Sequence, residues 1–211
     1  MRQYGKIELG KNDSHMITMK GKLITLEPLD IEKHAKGYFV VSQDESIHKY
    51  AGNDVPKDLD EIITLLKKYE NYFINWMILS NETHNVIGLI RLGKPAIENG
   101  VLVAGESQFL SSQYWRKGHM KEAKKLFYQY VFDKLSVELL YADVWEGNVN
   151  SIKSLESYGY KLIETTHSVF PKTGRLTKKY LFSLSKKDYQ LNAKESFAES
   201  CYLPTANCSN R

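Results

Sequence analysis

The stretch Y-W-R-K-G-H-M-K-E-A-K-K-L-F, residues Tyr114–Phe127, decides how the rest of the sequence is interpreted. A basic run around Gly118 passes into a pattern whose apolar residues, Met120, Ala123 and Phe127, share one helical face. A helix N-terminus leaves backbone N–H groups unpaired and carries partial positive charge, so it favours an anion such as phosphate. Basic residues there oppose the helix dipole unless an anion offsets them; the alternative is a solvated lysine-rich face.

The predicted elements around this helix alternate in type. β-Branched and aromatic runs predict strands at 23–29, 73–80, 85–93, 101–110, 137–145, 160–170 and 176–185. Helical spacing predicts helices at 30–41, 58–69, 117–135 and 148–158, and 94–100 is predicted to be a loop. The order predicts an α+β fold with a mixed, mostly antiparallel twisted sheet flanked by helices. The long crossover helix predicts that strands 101–110 and 137–145 run parallel, as neighbours or near neighbours. The helix face opposite the apolar one carries Lys117, Lys121, Lys124 and Tyr128.

Composition bounds the class of protein. The 211 residues are 42% hydrophobic, which suits one packed domain, predicted at 20–189 between a polar extension (1–19) and a mobile tail (190–211). A net charge of +4 is too small to indicate nucleic-acid binding. No run is apolar enough for a signal peptide or a membrane span, so we expect a cytoplasmic protein. The two cysteines, Cys201 and Cys208, have no zinc-site spacing, and no metal is expected.

Four sequence motifs, taken in their order along residues 20–189, resemble those of the GCN5-related N-acetyltransferase (GNAT) superfamily. They are GKLITLEPL from Gly21, the strand GESQFL with the loop WRKGHMKEA, NVNSIKSLESYGY from Asn148, and TGRLTKKYLFSL from Thr173. The phrases are most similar to the branch that acetylates ribosomal-protein N-termini and related amines. The sequence departs from the family's loop at Trp115, where Gln or Arg is usual, and at Met120, where Gly or Ala is usual.

The resemblance implies that acetyl-CoA is the co-substrate, bound in a V-shaped opening between the strands that end near Leu110 and Trp145. Backbone of Phe109 and Leu110 would pair with the pantetheine and polarise the thioester carbonyl. Asn148 and Ser151 would contact the pantetheine arm or the thiolate. The pyrophosphate would lie on the loop residues Arg116, Lys117, Gly118, His119, Met120 and Lys121.

Two residues are candidates for proton transfer. Glu106 lies on the cofactor strand, where the family often has a carboxylate that acts as a base through water; the alternative is a partner for a nearby lysine or arginine. Ser151 is the candidate proton donor to the thiolate; the alternative is helix capping. Leu155 occupies the position where many family members have a catalytic tyrosine.

The acceptor is predicted to be a primary amine, either a protein N-terminus or a small molecule such as a polyamine, an aminoglycoside-like drug or an amino sugar. The acceptor side would be built by residues 31–70 and the loop before the last strand. Its acidic residues would attract a cationic acceptor or simply be solvated: Asp44, Glu45, Asp54, Asp58, Asp60 and Glu61. The alternative function is a non-catalytic GNAT-fold protein that binds acyl-CoA or a partner protein. We expect no nucleic acid or membrane partner, and a monomer or homodimer.

Overall fold

The computed structural model describes residues 16–192. The strands found there are β1 (Met19–Lys20), β2 (Ile24–Pro28), β3 (Phe73–Ser80), β4 (Val86–Gly93), β5 (Ala96–Glu98), β6 (Val101–Leu110), β7 (Leu139–Trp145), β8 (Lys161–Val169) and β9 (Leu176–Ser185). The helices are α1 (Ile31–Ser42), α2 (Glu45–His48), α3 (Leu59–Tyr72), α4 (His119–Asp133) and α5 (Val149–Ser157), with a 3₁₀ turn at Ser112–Tyr114.

The strands form one sheet in the order β1-β2-β3-β4-β6-β7-β9-β8, with β5 also beside β6. Every neighbouring pair is antiparallel except β6 and β7, which run parallel across the α4 crossover. The predicted α+β fold, with its mixed and mostly antiparallel sheet, is therefore confirmed. No helix within residues 16–192 is long and apolar enough to cross a membrane.

The predicted loop 94–100 is wrong in part, because it contains β5. Residues Ala96–Glu98 pair with the start of β6 in a hairpin whose turn is Asn99-Gly100. Both turn residues have positive φ, 51° and 81°, the conformation that matches a two-residue turn to the strand twist. The Asn-Gly pair in the sequence was a signal that could have identified this hairpin.

Two apolar layers cover the two faces of the sheet. On one face, α1 and α3 pack on buried residues of β3 and β4, including Met77 and Leu89. On the other face, α4 supplies Phe127, whose ring meets Trp76 edge-on at a centroid distance of 5.8 Å. The α5 helix adds Leu155 to this second layer. Side chains on the two faces of β6 therefore pack against different helices.

The sheet opens between β6 and β7. Their register ends at the pair Gly105–Tyr141, yet β6 continues along β4 to Leu110 and β7 continues along β9 to Trp145. The last residues of the two strands are therefore unpaired with each other. A V-shaped opening at this place is what the resemblance to the GNAT superfamily implied.

After β9 the chain turns into a helical segment, residues 186–192, at the end of the described region. Tyr189 stacks on Phe132 of α4, with ring centroids 5.2 Å apart. Residues 1–15 and 193–211, including Cys201 and Cys208, lie outside the described residues. The predicted extension, tail and domain boundaries therefore stay predictions.

Candidate active site

The helix start at Gly118 has the features of an anion site. Gly118 precedes α4 with φ of 86°, a left-handed conformation that costs glycine little, and no side chain caps the helix. The first bond of the helix runs from the Glu122 N–H to the Gly118 carbonyl, at 3.0 Å. The N–H groups of His119, Met120 and Lys121 precede that bond, so the helix itself does not use them. They point out of the helix start, next to the basic side chains of the loop.

Glu122 fixes this helix start to the edge of the sheet. Its carboxylate accepts hydrogen bonds from the backbone N–H groups of Lys22 (2.7 Å), Leu23 (2.6 Å) and Ile24 (3.0 Å). Gly21 allows this approach, since a Cβ there would lie 2.6 Å from the Glu122 Cδ. Gly21 and Glu122 belong to two separate motifs, and the sequence alone did not show that they meet.

We expect Glu122→Gln to lower the free energy of unfolding by about 2 kcal/mol, since hydrogen bonds to a charged group contribute about 1.5–3 kcal/mol. The amide keeps one acceptor oxygen but presents N–H groups to the remaining donors. Urea unfolding followed by circular dichroism measures the loss. The matched control is Glu156→Gln, an exposed glutamate of α5, which should change stability by less than about 0.5 kcal/mol. Equal effects in the two variants would contradict the role of Glu122.

The end of β6 presents backbone groups to the opening. The Ser111 N–H donates to the Ile87 carbonyl at 2.9 Å, so Ser111 is bonded to β4. By antiparallel alternation, Phe109 also points its peptide groups to β4, while Leu110 and Gln108 point theirs toward the opening. The Phe109 carbonyl indeed lies only 2.3 Å from where a Cβ on Gly88 would be. The register thus favours Gln108 and Leu110 as the backbone partners of a bound ligand, and sequence reasoning missed Gln108.

The side chain of Trp115 occupies one of these backbone groups, the carbonyl of Leu110. Its indole Nε1 donates to the Leu110 carbonyl at 2.7 Å, while 40% of the residue stays exposed. The Leu110 N–H is left to face the opening. The unusual residue in the loop therefore links the loop to the end of the cofactor strand.

Glu106 faces α4, where it meets a buried lysine. The Lys124 Nζ lies 3.6 Å from the Glu106 Oε1, and both side chains are fully buried. The Tyr128 hydroxyl donates to the same oxygen at 2.8 Å. Burial lowers the pKa of Lys124, and the nearby Glu106 carboxylate opposes that shift. Burial also raises the pKa values of Tyr128 and Tyr160.

This cluster corrects the amphipathic pattern drawn from the sequence. Lys124 and Tyr128 were placed on the face opposite the apolar one, but both are 0% exposed. The pattern failed because that face of α4 is covered by the aromatic rings of Tyr158 and Tyr189, which contact Tyr128. A lysine can lie there only because Glu106 supplies the opposite charge. This geometry favours the alternative role of Glu106, as the partner of a lysine, and its role as a base stays a prediction.

The start of α5 borders the far side of the opening. Asn148 caps the helix, its Oδ1 accepting from the Ser151 N–H at 3.3 Å. Ser151 is half-buried in the first turn, and Leu155 lies in the core. The Tyr158 hydroxyl donates to the Lys121 carbonyl at 3.2 Å, which turns it toward α4. Capping of α5 by Asn148 is thus observed, and contact of Asn148 or Ser151 with a ligand stays a prediction.

A cleft of about 680 Å³ lies between α1, α2 and the segment after β6. Of the acidic residues considered from the sequence, Asp44 and Glu45 line it. The Asp44 carboxylate accepts from the Ser112 N–H at 2.6 Å, joining α2 to the segment that leads into the loop. Burial works to raise the pKa of Asp44, but hydrogen bonds from Ser112 and Ser46 outweigh it and lower the pKa. Asp58 instead caps α3, accepting from the Glu61 N–H at 2.9 Å.

Within residues 16–192, no group of three or more His, Cys, Asp or Glu side chains is arranged to hold a metal ion. His119 packs its ring edge-on against Tyr114, at a centroid distance of 5.1 Å.

Comparison with known proteins gives matches along most of the described chain. The family model "Acetyltransferase (GNAT) domain" matches residues 24–161. A curated relative, the uncharacterized N-acetyltransferase p20 of Bacillus licheniformis, is 32% identical over 112 residues, which are 53% of this chain and 62% of that protein. The match thus spans less than two thirds of the relative's own length.

Two solved structures share the fold. A GCN5-related N-acetyltransferase from Brucella melitensis has a TM-score of 0.75 at 22% identity, covering 92% of this chain and 89% of its own. A spermidine N-acetyltransferase from Vibrio cholerae, in complex with CoA and spermine, has a TM-score of 0.68 at 18% identity, covering 81% of this chain and 99% of its own.

Proposed function

This chain belongs to the GNAT acetyltransferase family, and from that premise we propose that it transfers an acetyl group from acetyl-CoA to a primary amine. The superfamily predicted from the sequence motifs is confirmed, and the ribosomal-protein N-terminal branch stays a prediction. The cytoplasmic location and the monomeric or homodimeric state also stay predictions.

The observation that carries the proposal is the position of the opening beside the helix start. The β6–β7 register stops at Gly105–Tyr141, and the chain leaving β6 reaches Gly118 and α4 within eight residues, 111–118. An extended, phosphate-bearing molecule would find backbone partners along Gln108 and Leu110 and free N–H groups at His119–Lys121. Arg116 and Lys117 add positive charge to the same end. We infer that these groups would hold the pantetheine and the pyrophosphate of acetyl-CoA.

Acetyl-CoA supplies an activated acetyl group and leaves as the free CoA thiol. The amine loses one proton and the sulfur gains one, so the site needs a proton acceptor and a proton donor. The Leu110 N–H faces the opening and would stabilise negative charge on the acyl oxygen. The Ser151 hydroxyl, on the far side of the opening, would give the proton to the sulfur. Glu106 would act as the base only through a water, because its carboxylate is buried with Lys124 and Tyr128.

We expect CoA thiol release when the protein, acetyl-CoA and a panel of primary amines are mixed and the thiol is measured spectroscopically. The panel contains N-terminal peptides, polyamines, amino sugars and amino acids. Ser151→Ala should lower kcat by about 100-fold or more, since proton transfer by a side chain contributes about 10²–10⁴-fold, while acetyl-CoA still binds. An unchanged kcat would contradict the role of the Ser151 hydroxyl as the proton donor.

The binding-only alternative makes the opposite prediction in the same assay. Trp115 favours it, because the indole occupies the Leu110 carbonyl that faces the opening. Under this alternative, acetyl-CoA raises the melting temperature, yet no amine in the panel releases thiol. Thiol release with any single amine would exclude the alternative.

A further inference from the structure

An arginine with no carboxylate partner within residues 16–192 lies beside the opening, on the face that α1 and α3 cover. Arg91 of β4 pairs in register with Ser107 of β6, two residues beyond the last β6–β7 pair. Its guanidinium carbon lies 4.1 Å from the ring centroid of Tyr69 and 4.2 Å from that of Phe73. Phe109 of β6 adds a third ring at 5.5 Å. Aromatic rings thus hold the guanidinium in place.

The charge of Arg91 is not neutralised in this environment. Its Nε donates to the Ser107 hydroxyl, but the Nη1 is buried and has no hydrogen-bond partner within residues 16–192. In the same part of the chain, no carboxylate comes within salt-bridge distance of it. Asn75, directly opposite on β3, is neutral, and its buried Oδ1 is also unpartnered. Contact with aromatic rings stabilises a cation by less than a carboxylate partner would in a half-buried position such as that of Arg91.

We propose that Arg91 binds the carboxylate of the acceptor, and therefore that the acceptor is an α-amino acid or a compound with the same spacing of amine and carboxylate. The inference rests on the proposed acetyl transfer and names the substrate class of that site. A guanidinium is the side chain best matched to a carboxylate, because its planar donors bind both oxygens. The aromatic neighbours of Arg91 keep the plane of its guanidinium in one orientation.

The distance to the opening sets the spacing within the acceptor. The Arg91 Nε reaches Ser107, so the guanidinium lies over β6, the strand that borders the opening. Adjacent strands are about 4.8 Å apart, so a carboxylate on Arg91 lies about one strand spacing from the opening. An attacking amine lies about 3–3.5 Å from the reacting carbon, so the remaining distance leaves room for only a short separation of amine and carboxylate, as in an amino acid. A long polyamine places a second cation, not an anion, at this position.

The test compares each standard L-amino acid with its own carboxamide as acceptor, measuring kcat/KM by CoA thiol release from the full chain. For the preferred amino acid, the free acid should exceed the amide by tenfold or more, as expected for a charge-assisted pair worth at least about 1.4 kcal/mol. The amide has the more easily deprotonated amine, so chemistry without Arg91 would favour the amide. Arg91→Gln should bring the acid-to-amide ratio to one or below. The matched control is Arg175→Gln, an exposed arginine of the β8–β9 turn, which should keep the wild-type ratio.

The wild-type comparison is decisive even if Arg91→Gln does not fold. Amides used as well as acids, or turnover confined to amines without a carboxylate, would overturn the inference and leave acetyl transfer standing. An acid-to-amide ratio that survives in a folded Arg91→Gln would also overturn it. No thiol release with any amine would instead contradict the proposed function itself.

Discussion

Gly118→Asp is expected to weaken acetyl-CoA binding by 100-fold or more. The new carboxylate would lie at the helix start, where it competes with the pyrophosphate for the N–H groups of His119–Lys121 and repels its charge. Losing one or two charge-assisted hydrogen bonds, at about 1.5–3 kcal/mol each, accounts for the size of the effect, since tenfold corresponds to about 1.4 kcal/mol. Calorimetric titration measures the loss.

The fold should survive this substitution. A Cβ at residue 118 would meet only the Leu23 Cδ1, at an ordinary 3.4 Å. The left-handed φ costs a side chain about 1–2 kcal/mol, and aspartate and asparagine are among the few residues that adopt this conformation. Gly118→Asn is the matched control, because it has the same shape without the charge. If Gly118→Asn and Gly118→Asp bind acetyl-CoA equally, charge competition is not the cause.

Lys124→Met is expected to lower the free energy of unfolding by about 3–5 kcal/mol, the cost of leaving one charge of a buried pair uncompensated. The Met side chain fills a similar volume, so the loss reports the stranded Glu106 carboxylate more than a cavity. Denaturant unfolding measures it. Lys125→Met, at the exposed neighbour in the same helix, is the matched control and should stay within about 0.5 kcal/mol of wild type. The double variant Lys124→Met with Glu106→Gln should recover at least half of the loss.

The pH dependence of this difference has a defined sign. Burial lowers the pKa of Lys124 below 10.5, so the unfolded chain binds more protons in the window between the lowered pKa and 10.5. The contribution of this group to the free energy of unfolding therefore rises with pH in that window. Lys124→Met removes the rise, and the gap between the two proteins should widen as the pH increases. A gap that narrows would contradict the lowered pKa of Lys124, because it would mean that the attraction of Glu106 outweighs burial.

The sequence predicted those features that local pattern determines. Strand β6 has the predicted bounds, Val101–Leu110, because turn residues and β-rich composition define both ends. Helix α4 begins at His119, within two residues of the predicted start at Lys117. It follows Gly118, which has a left-handed conformation. The parallel pairing of β6 and β7 followed from the single crossover, whereas the opening between them was implied only by the resemblance to the family. The GNAT motifs depend on these same elements, so the family was recognisable.

The features that the sequence did not predict depend on contacts between distant segments. The lysine at 124 looked like a surface residue, because its partner Glu106 is 18 positions away on another element. Gly21 and Glu122 are 101 positions apart, and Arg91 gains its aromatic neighbours from α3, β3 and β6. Hydropathy periodicity assigns a side chain to a face but does not identify what covers that face.

Calorimetric titration of acetyl-CoA into wild-type protein and Gly118→Asp tests the central claim most directly, that the opening and the start of α4 form the acetyl-CoA site. We expect saturable binding by the wild type and a loss of 100-fold or more in the variant, while both unfold at similar denaturant concentrations. No binding by the wild type at millimolar acetyl-CoA, or equal binding by the two proteins, would contradict the account.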